Sequence, residues 1–212
     1  MNFNKNNRNK ALYEHYCKIF RNEPVFIMKL KNDLDKEELK INTLVFAPTS
    51  ELSFWKLCTI GASDYLMPKR EIGFGRFANR RNEYMMFISS ETQINEYSKK
   101  FLNLNALLWS VAKYSYTEKR NITVTDTIEI NLVEKYAGVV ILLPELLNNA
   151  SSAKCYISKN KFISIFQVMP ISKKMLDEKL NRGKEGVYWL IENFYTHDDN
   201  YKIISSDPLI KL

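Results

Sequence analysis

The ten residues from Phe162 to Ile171 read Phe-Ile-Ser-Ile-Phe-Gln-Val-Met-Pro-Ile, and both alternate sets of positions are mostly apolar. Side chains of a strand point by turns to opposite faces, so a run that is apolar on both faces needs cover on both. The segment is therefore expected as a central strand with packing above and below it. This requirement constrains the fold more than any other stretch of the chain.

The remaining pattern supplies partners and cover for that strand. Val25 to Leu30, Leu39 to Ala47, Leu52 to Ile60 and Glu83 to Ser89 read as strands, with Pro48-Thr49-Ser50 as a hairpin loop between two of them. Ile122, Val124, Ile128 and Ile130 alternate with Thr123, Thr125, Thr127 and Glu129, as in a half-buried strand, and Gly138 to Pro144 is a continuous apolar run. Asn148 to Ser152 reads as a loop.

Helical spacing appears in four places. Leu12, Tyr16, Ile19 and Phe20 share one face of a helix from about Lys10 to Phe20, which Pro24 stops. Leu104, Leu107, Leu108 and Val111 form the buried stripe of a helix from Lys99 to Tyr114. Ser172 is placed to cap a third helix on which Leu176 and Leu180 share a face and which ends at Gly183. A fourth, Glu185 to Tyr195, buries Val187, Leu190, Ile191 and Phe194, and the tail from His197 to Leu212 is expected to return as an edge strand. This order of elements predicts an α+β fold: a mixed, largely antiparallel sheet with helices packed on it.

Asp126 falls on the apolar side of its alternating segment, where an unpartnered carboxylate is costly. A turn or bulge that satisfies it is the preferred reading. The functional alternative presents Asp126 beside a cleft for binding.

At 212 residues the chain is expected to form a single domain with one large core, preceded by a flexible start over residues 1–8. Cys17, Cys58 and Cys155 are widely spaced and include no CxxC pair, which suggests neither a disulfide framework nor a zinc site. The N-terminal residues are not a secretory signal, and no segment approaches the roughly 20 apolar residues of a membrane helix. The expectation is a cytoplasmic protein. A formal net charge of +7 permits attraction to nucleic acid, acidic lipid or an acidic protein without choosing among them.

Catalytic signatures are weak. Gly73-Phe74-Gly75-Arg76 lacks the third glycine of a dinucleotide loop, and the chain has no P-loop, HExxH or GxSxG sequence. Ser110-Val111-Ala112-Lys113 has the S-x-x-K spacing of serine acyl enzymes, but its serine lies inside the expected core helix. Two histidines restrict acid-base chemistry: His15 sits on or beside a packed helical stripe, and His197-Asp198-Asp199 reads as a solvated turn. No metal, cofactor or enzymatic activity is expected.

Met67 to Asn82, with Pro68, Gly73 and Gly75, is a long connection without period. Phe74, Arg76, Phe77, Arg80 and Arg81 interleave aromatic and guanidinium groups there, a mixture enriched at protein interfaces and suited to stacking on single-stranded bases. These are the first candidate partner contacts, with Tyr65 and Asp126 as second candidates.

Several short motifs occur in a fixed order: Thr59-Ile60-Gly61-Ala62-Ser63-Asp64, Arg81-Asn82-Glu83-Tyr84, Leu107-Leu108-Trp109-Ser110-Val111-Ala112-Lys113-Tyr114, Thr125-Asp126-Thr127-Ile128 and Val168-Met169-Pro170-Ile171. Together they resemble the Suppressor-of-fused family over about Leu52 to Phe194. Asp126 departs from the histidine that many bacterial members carry at that place. Within the first motif, Gly61 suits a positive φ, and Ser63 and Asp64 suit capping of a turn.

The resemblance implies a non-enzymatic protein-binding domain. The animal member is a two-lobed inhibitor that sequesters zinc-finger transcription factors of the Hedgehog pathway, whereas this chain has the length of one domain. Bacterial members are often encoded beside polymorphic secreted toxins. That context implies an immunity protein, or antitoxin, that binds a cognate toxin domain and neutralises it. The alternative from another class is a basic nucleic-acid-binding or regulatory protein, and a hydrolase built on Ser110 and Lys113 would require that helix to be exposed.

Overall fold

The computed structural model describes residues 7–29, 39–69, 79–133, 136–147, 150–196 and 204. Its elements in chain order are α1 (Asn7–Phe20), β1 (Phe26–Lys29), β2 (Asn42–Phe46), β3 (Phe54–Ile60), β4 (Asn82–Ser89), α2 (Lys99–Glu118), β5 (Thr127–Val133), β6 (Tyr136–Leu142), β7 (Lys154–Ser158), β8 (Lys161–Ile171), α3 (Lys173–Asn181) and α4 (Gly186–Thr196). One mixed sheet runs in the order β1-β2-β3-β4-β8-β6-β5, and β7 pairs with β8 off that path. Only β4 and β8 pair in parallel among these strands, so the α+β class and largely antiparallel sheet hold.

The strand read as central from its composition is central in space. β8 has β4 on one side, and both β6 and β7 hydrogen-bond to it. Its two faces feed separate core clusters. Ile163 and Ile165 join Leu12, Tyr16 and Phe20 of α1, whereas Phe166 and Val168 join Phe101, Leu104, Leu107, Leu108 and Val111 of α2. Each of these side chains is nearly or fully buried, and burial of one contributes roughly 1.5–3 kcal/mol. The sheet is thus held between α1 on one face and α2 with α3 and α4 on the other.

Caps fix where the helices begin. The Ser98 side chain accepts from the Phe101 N–H at 3.2 Å to start α2, and Ser172 accepts from the Met175 N–H at 3.3 Å to start α3. Gly183 follows α3 at a φ of 56°. Within α3, however, Leu176 is buried while Leu180 is 55% exposed, and Met175 takes the second core position instead.

One sequence expectation needs correction. The alternating segment does not become a strand at Ile122, because β5 starts at Thr127 and residues 122–126 form a turn with Thr125 at a φ of 73°. Asp126 accounts for the change: its Oδ2 accepts from the Thr123 N–H at 2.9 Å, and its own N–H donates to the Thr123 carbonyl at 3.2 Å. The preferred reading of Asp126 therefore holds. Of the tail, only Ile204 lies among the described residues, and it meets an inner strand. Ile204 bridges to β4 in parallel, donating to the Phe87 carbonyl at 2.8 Å and accepting from the Ser89 N–H at 3.0 Å, with its side chain buried.

Candidate partner-binding surface

The Thr59 to Asp64 motif is a turn built around a buried carboxylate. Gly61 leaves β3 at a φ of 111°, where only glycine is unstrained, and a Cβ there would stand 2.2 Å from the Lys40 carbonyl oxygen. The exposed N–H groups of such a turn need acceptors. Glu83 supplies them from β4, its Oε1 accepting from the Gly61 N–H at 3.0 Å and the Ser63 N–H at 2.9 Å. Its Oε2 accepts from the Thr59 hydroxyl at 2.6 Å. Burial raises the Glu83 pKa above the usual carboxylate range, and the hydrogen bonds oppose that shift.

The sequence assigned the capping of this turn to Ser63 and Asp64, whereas the residue at its N-cap is Gly61, which has no side chain to cap it. Glu83 does so from the neighbouring strand, and Asp64 instead pairs with Arg8 of α1 at 2.9 Å. Missing Glu83 is understandable, because nothing local marks it: a glutamate opening a strand has no visible partner until β3 lies beside β4.

Arg80 and Arg81 are also tied inward. Arg81 donates to the Ser63 and Asp64 carbonyls, and Arg80 donates from Nε to the Met67 carbonyl at 2.6 Å. Asn121 closes the same junction, donating to the Pro68 carbonyl at 3.1 Å and the Asn79 carbonyl at 3.2 Å. These contacts clamp both ends of the connection from β3 to β4. Phe74, Arg76 and Phe77 of that connection lie outside the described residues.

The two second candidates border one region of surface at the C-terminal end of α2. Tyr65 meets Tyr116 edge to face with ring centroids 5.5 Å apart. The Lys119 ammonium lies 4.2 Å from the Tyr116 centroid and 5.4 Å from that of Tyr65, close enough for cation–π attraction. Lys119 itself stands at the helix C-cap with a φ of 54°. Beside it opens a groove of about 900 Å³, lined by Lys69, Lys119, Arg120, Tyr114, Asn121 and the turn carrying Asp126. Three cations thus face a cavity whose one carboxylate is engaged by the Thr123 N–H.

The other residues weighed for chemistry have structural surroundings. Ser110 donates its hydroxyl to the Ala106 carbonyl at 2.9 Å, the back-bonding of a helical serine. His15 is partly buried with Nε2 3.5 Å from the Ser152 carbonyl oxygen, and desolvation holds its pKa below the usual value. Cys58 and Cys155 are buried free thiols whose pKa values burial raises. Among the described residues, no group of histidine, cysteine and acidic side chains is arranged to hold a metal ion, and no helix is long and apolar enough to cross a membrane.

The family model for Suppressor of fused protein matches residues 37–199. The chain belongs to the Suppressor of fused family. The match begins earlier than the motifs alone suggested and takes in the segments carrying Gly61, Glu83 and Asp126. No curated protein sequence matches the chain.

Solved structures of the family share the fold. A chain described as a Suppressor of fused homologue from Neisseria gonorrhoeae is 18% identical with a TM-score of 0.63, the likeness covering 97% of this chain and 98% of that one. A chain from a Sufu–Fu complex is 13% identical with a TM-score of 0.60, over 94% of this chain and 90% of that one. Drosophila Suppressor of Fused is 13% identical with a TM-score of 0.58, and there the likeness covers 94% of this chain and half of the fly protein.

Proposed function

We propose that this Suppressor of fused domain is a non-enzymatic protein-binding module that docks its partner in the groove at the C-terminal end of α2. The observation that carries this reading is the cluster of Lys69, Lys119 and Arg120 around an open cavity flanked by the Tyr65–Tyr116 pair. Tyrosine and arginine that converge on a concavity are usual anchors of a protein interface, and lysines at its rim steer an acidic partner. The likeness to a chain solved in a Sufu–Fu complex supports a protein as the partner.

The partner in this proposal is a cognate secreted toxin domain, which the chain neutralises in the cytoplasm as an immunity protein by stoichiometric occlusion. The excess of positive charge disfavours mimicry of nucleic acid and suits an acidic toxin surface. A tagged full chain is expected to recover one stoichiometric protein with a toxin-like C-terminal domain from its native host, read by mass spectrometry after a wash at moderate salt. Recovery of nucleic acid alone, or of no partner, would overturn the reading.

A second reading uses the same cations to bind nucleic acid, with Tyr65 and Tyr116 as a stacking platform. It predicts affinity that falls steeply with salt and is indifferent to sequence.

A further inference from the structure

A second concavity, of about 690 Å³, lies between α1 and β7. It differs from the groove at Asp126 in having a strand edge along one side. β7 hydrogen-bonds to β8 alone among the described strands, and beyond that pairing the backbone of residues 155–158 has no hydrogen-bond partner among the described residues. Edges are usually blunted by charge or proline, yet Cys155-Tyr156-Ile157-Ser158 carries neither. Cys155 turns its side chain into the core beneath α1, whereas Tyr156 is 59% exposed with its ring against Phe162, the centroids 5.8 Å apart.

The charge around that edge decides what can pair with it. The groove at Asp126 sets Lys69, Lys119 and Arg120 against a single carboxylate, and in a chain of formal charge +7 such a surface repels its own copy. The wall beside β7 is mixed instead, since Glu14 and Lys18 of α1 line it together with the Arg21–Glu51 ion pair. A surface of both signs can meet its own image across a two-fold axis without net repulsion. Full antiparallel overlap of two copies of this five-residue strand puts its middle residue, Tyr156, opposite itself and Lys154 opposite Ser158 of the second copy. No cation then faces a cation along the ladder, and two exposed tyrosine rings meet as a cross-strand pair.

We propose that the chain pairs with a second copy of itself through the outer edges of β7, which joins the two sheets across a two-fold axis beside Tyr156. The groove at Asp126 has no residue on β7, so each copy keeps its own and the dimer presents two. The pairing stands on the strand edge and the charge around it, and it holds whichever partner that groove takes.

Sedimentation equilibrium of the full chain, from micromolar to millimolar concentration, measures the association. The expected result is a reversible species of twice the mass of one chain, with affinity at least about tenfold weaker in Tyr156→Asp, where two carboxylates stand directly opposite each other. Tyr156→Lys is expected to fail alone in the same way, and an equimolar mixture of the two variants is expected to associate again, because each Asp then faces a Lys. Variants that had merely lost their fold would not recover on mixing. Oxidation gives a second readout: in a Cys17→Ser background, Tyr156→Cys is expected to form a covalent dimer, whereas Tyr188→Cys, at a position 63% exposed on α4, is expected to stay a monomer.

A chain that stays monomeric over that range, a dimer indifferent to Tyr156→Asp, a mixture that fails as each charged variant fails alone, or equal cross-linking at positions 156 and 188 would each overturn the proposal. Were the charged variants misfolded, the two cysteine variants decide alone.

Discussion

The turn after β3 and the groove at the end of α2 adjoin through Tyr65, yet their polar groups are satisfied in opposite ways. In the turn, Glu83, Arg81 and Arg8 each meet a specific protein atom, and the Gly61 and Ser63 N–H groups both reach one buried carboxylate. In the groove, Lys69, Lys119 and Arg120 face solvent around a cavity with a single, already engaged carboxylate. The motif most useful for recognising the family is thus a fastening, and the adjoining surface carries its cations exposed around a groove. A recognisable sequence and a binding sequence need not be the same residues.

The largest expected effect falls on the turn. Gly61→Ala puts a Cβ into the Lys40 carbonyl and forces an alanine to a positive φ, with a loss of at least about 3 kcal/mol from strain and displaced backbone. Urea denaturation measures it, and a near-neutral result would dissolve the distinction between the two regions. Glu83→Ala is next, at roughly 2–4 kcal/mol, because it leaves the Gly61 and Ser63 N–H groups buried without acceptors. Glu83→Gln is expected to recover part of that loss in the same assay, since the amide oxygen can serve one of the two donors.

The groove should answer in the reverse manner. Lys119→Glu is expected to weaken partner binding about tenfold or more in a titration while moving the unfolding midpoint little, since Lys119 is exposed and rests on half-buried rings. A stability loss as great as that of Glu83→Ala, with affinity intact, would place Lys119 with the fastenings instead.

The last effect, confined to alkaline solution, is a pH dependence at Lys56. This lysine is buried without a carboxylate in ion-pair range among the described residues, its ammonium donating to the Ala47 carbonyl at 2.8 Å and the Leu52 carbonyl at 3.1 Å, and desolvation lowers its pKa from 10.5 to about 8. Between those values the unfolded chain holds more protons than the folded one, so this group makes stability rise as pH increases through that window. Denaturation of the parent and of Lys56→Met at pH 7.5 and 9.5 isolates the contribution, and equal slopes for the two proteins would exclude it.

What could be read in the sequence was what depends on local pattern. The two apolar faces of β8, the stripe of α2, the Ser172 cap and the positive φ of Gly61 all follow from spacing or residue type, and each is present. The contacts of Glu83, Arg81 and Asn121 join segments far apart in the chain, so no periodicity announces them. The turn at residues 122–126 was hidden for another reason: its threonines and isoleucines mimic strand alternation, and only the Asp126 to Thr123 hydrogen bond breaks it. β7 went unnoticed because it is short and one-sided, with Cys155 buried while Tyr156 and Ser158 are exposed.

The bridge between Ile204 and β4 bears on the order of events during synthesis. β4 leaves the ribosome well before residue 204 does, so the pairing groups of Phe87 and Ser89 wait until more than a hundred further residues have emerged. Contacts so distant in sequence are closed late and slow folding. A nascent chain halted before Ile204 would carry an open seam in the middle of its sheet, where a chaperone or another nascent chain can bind first.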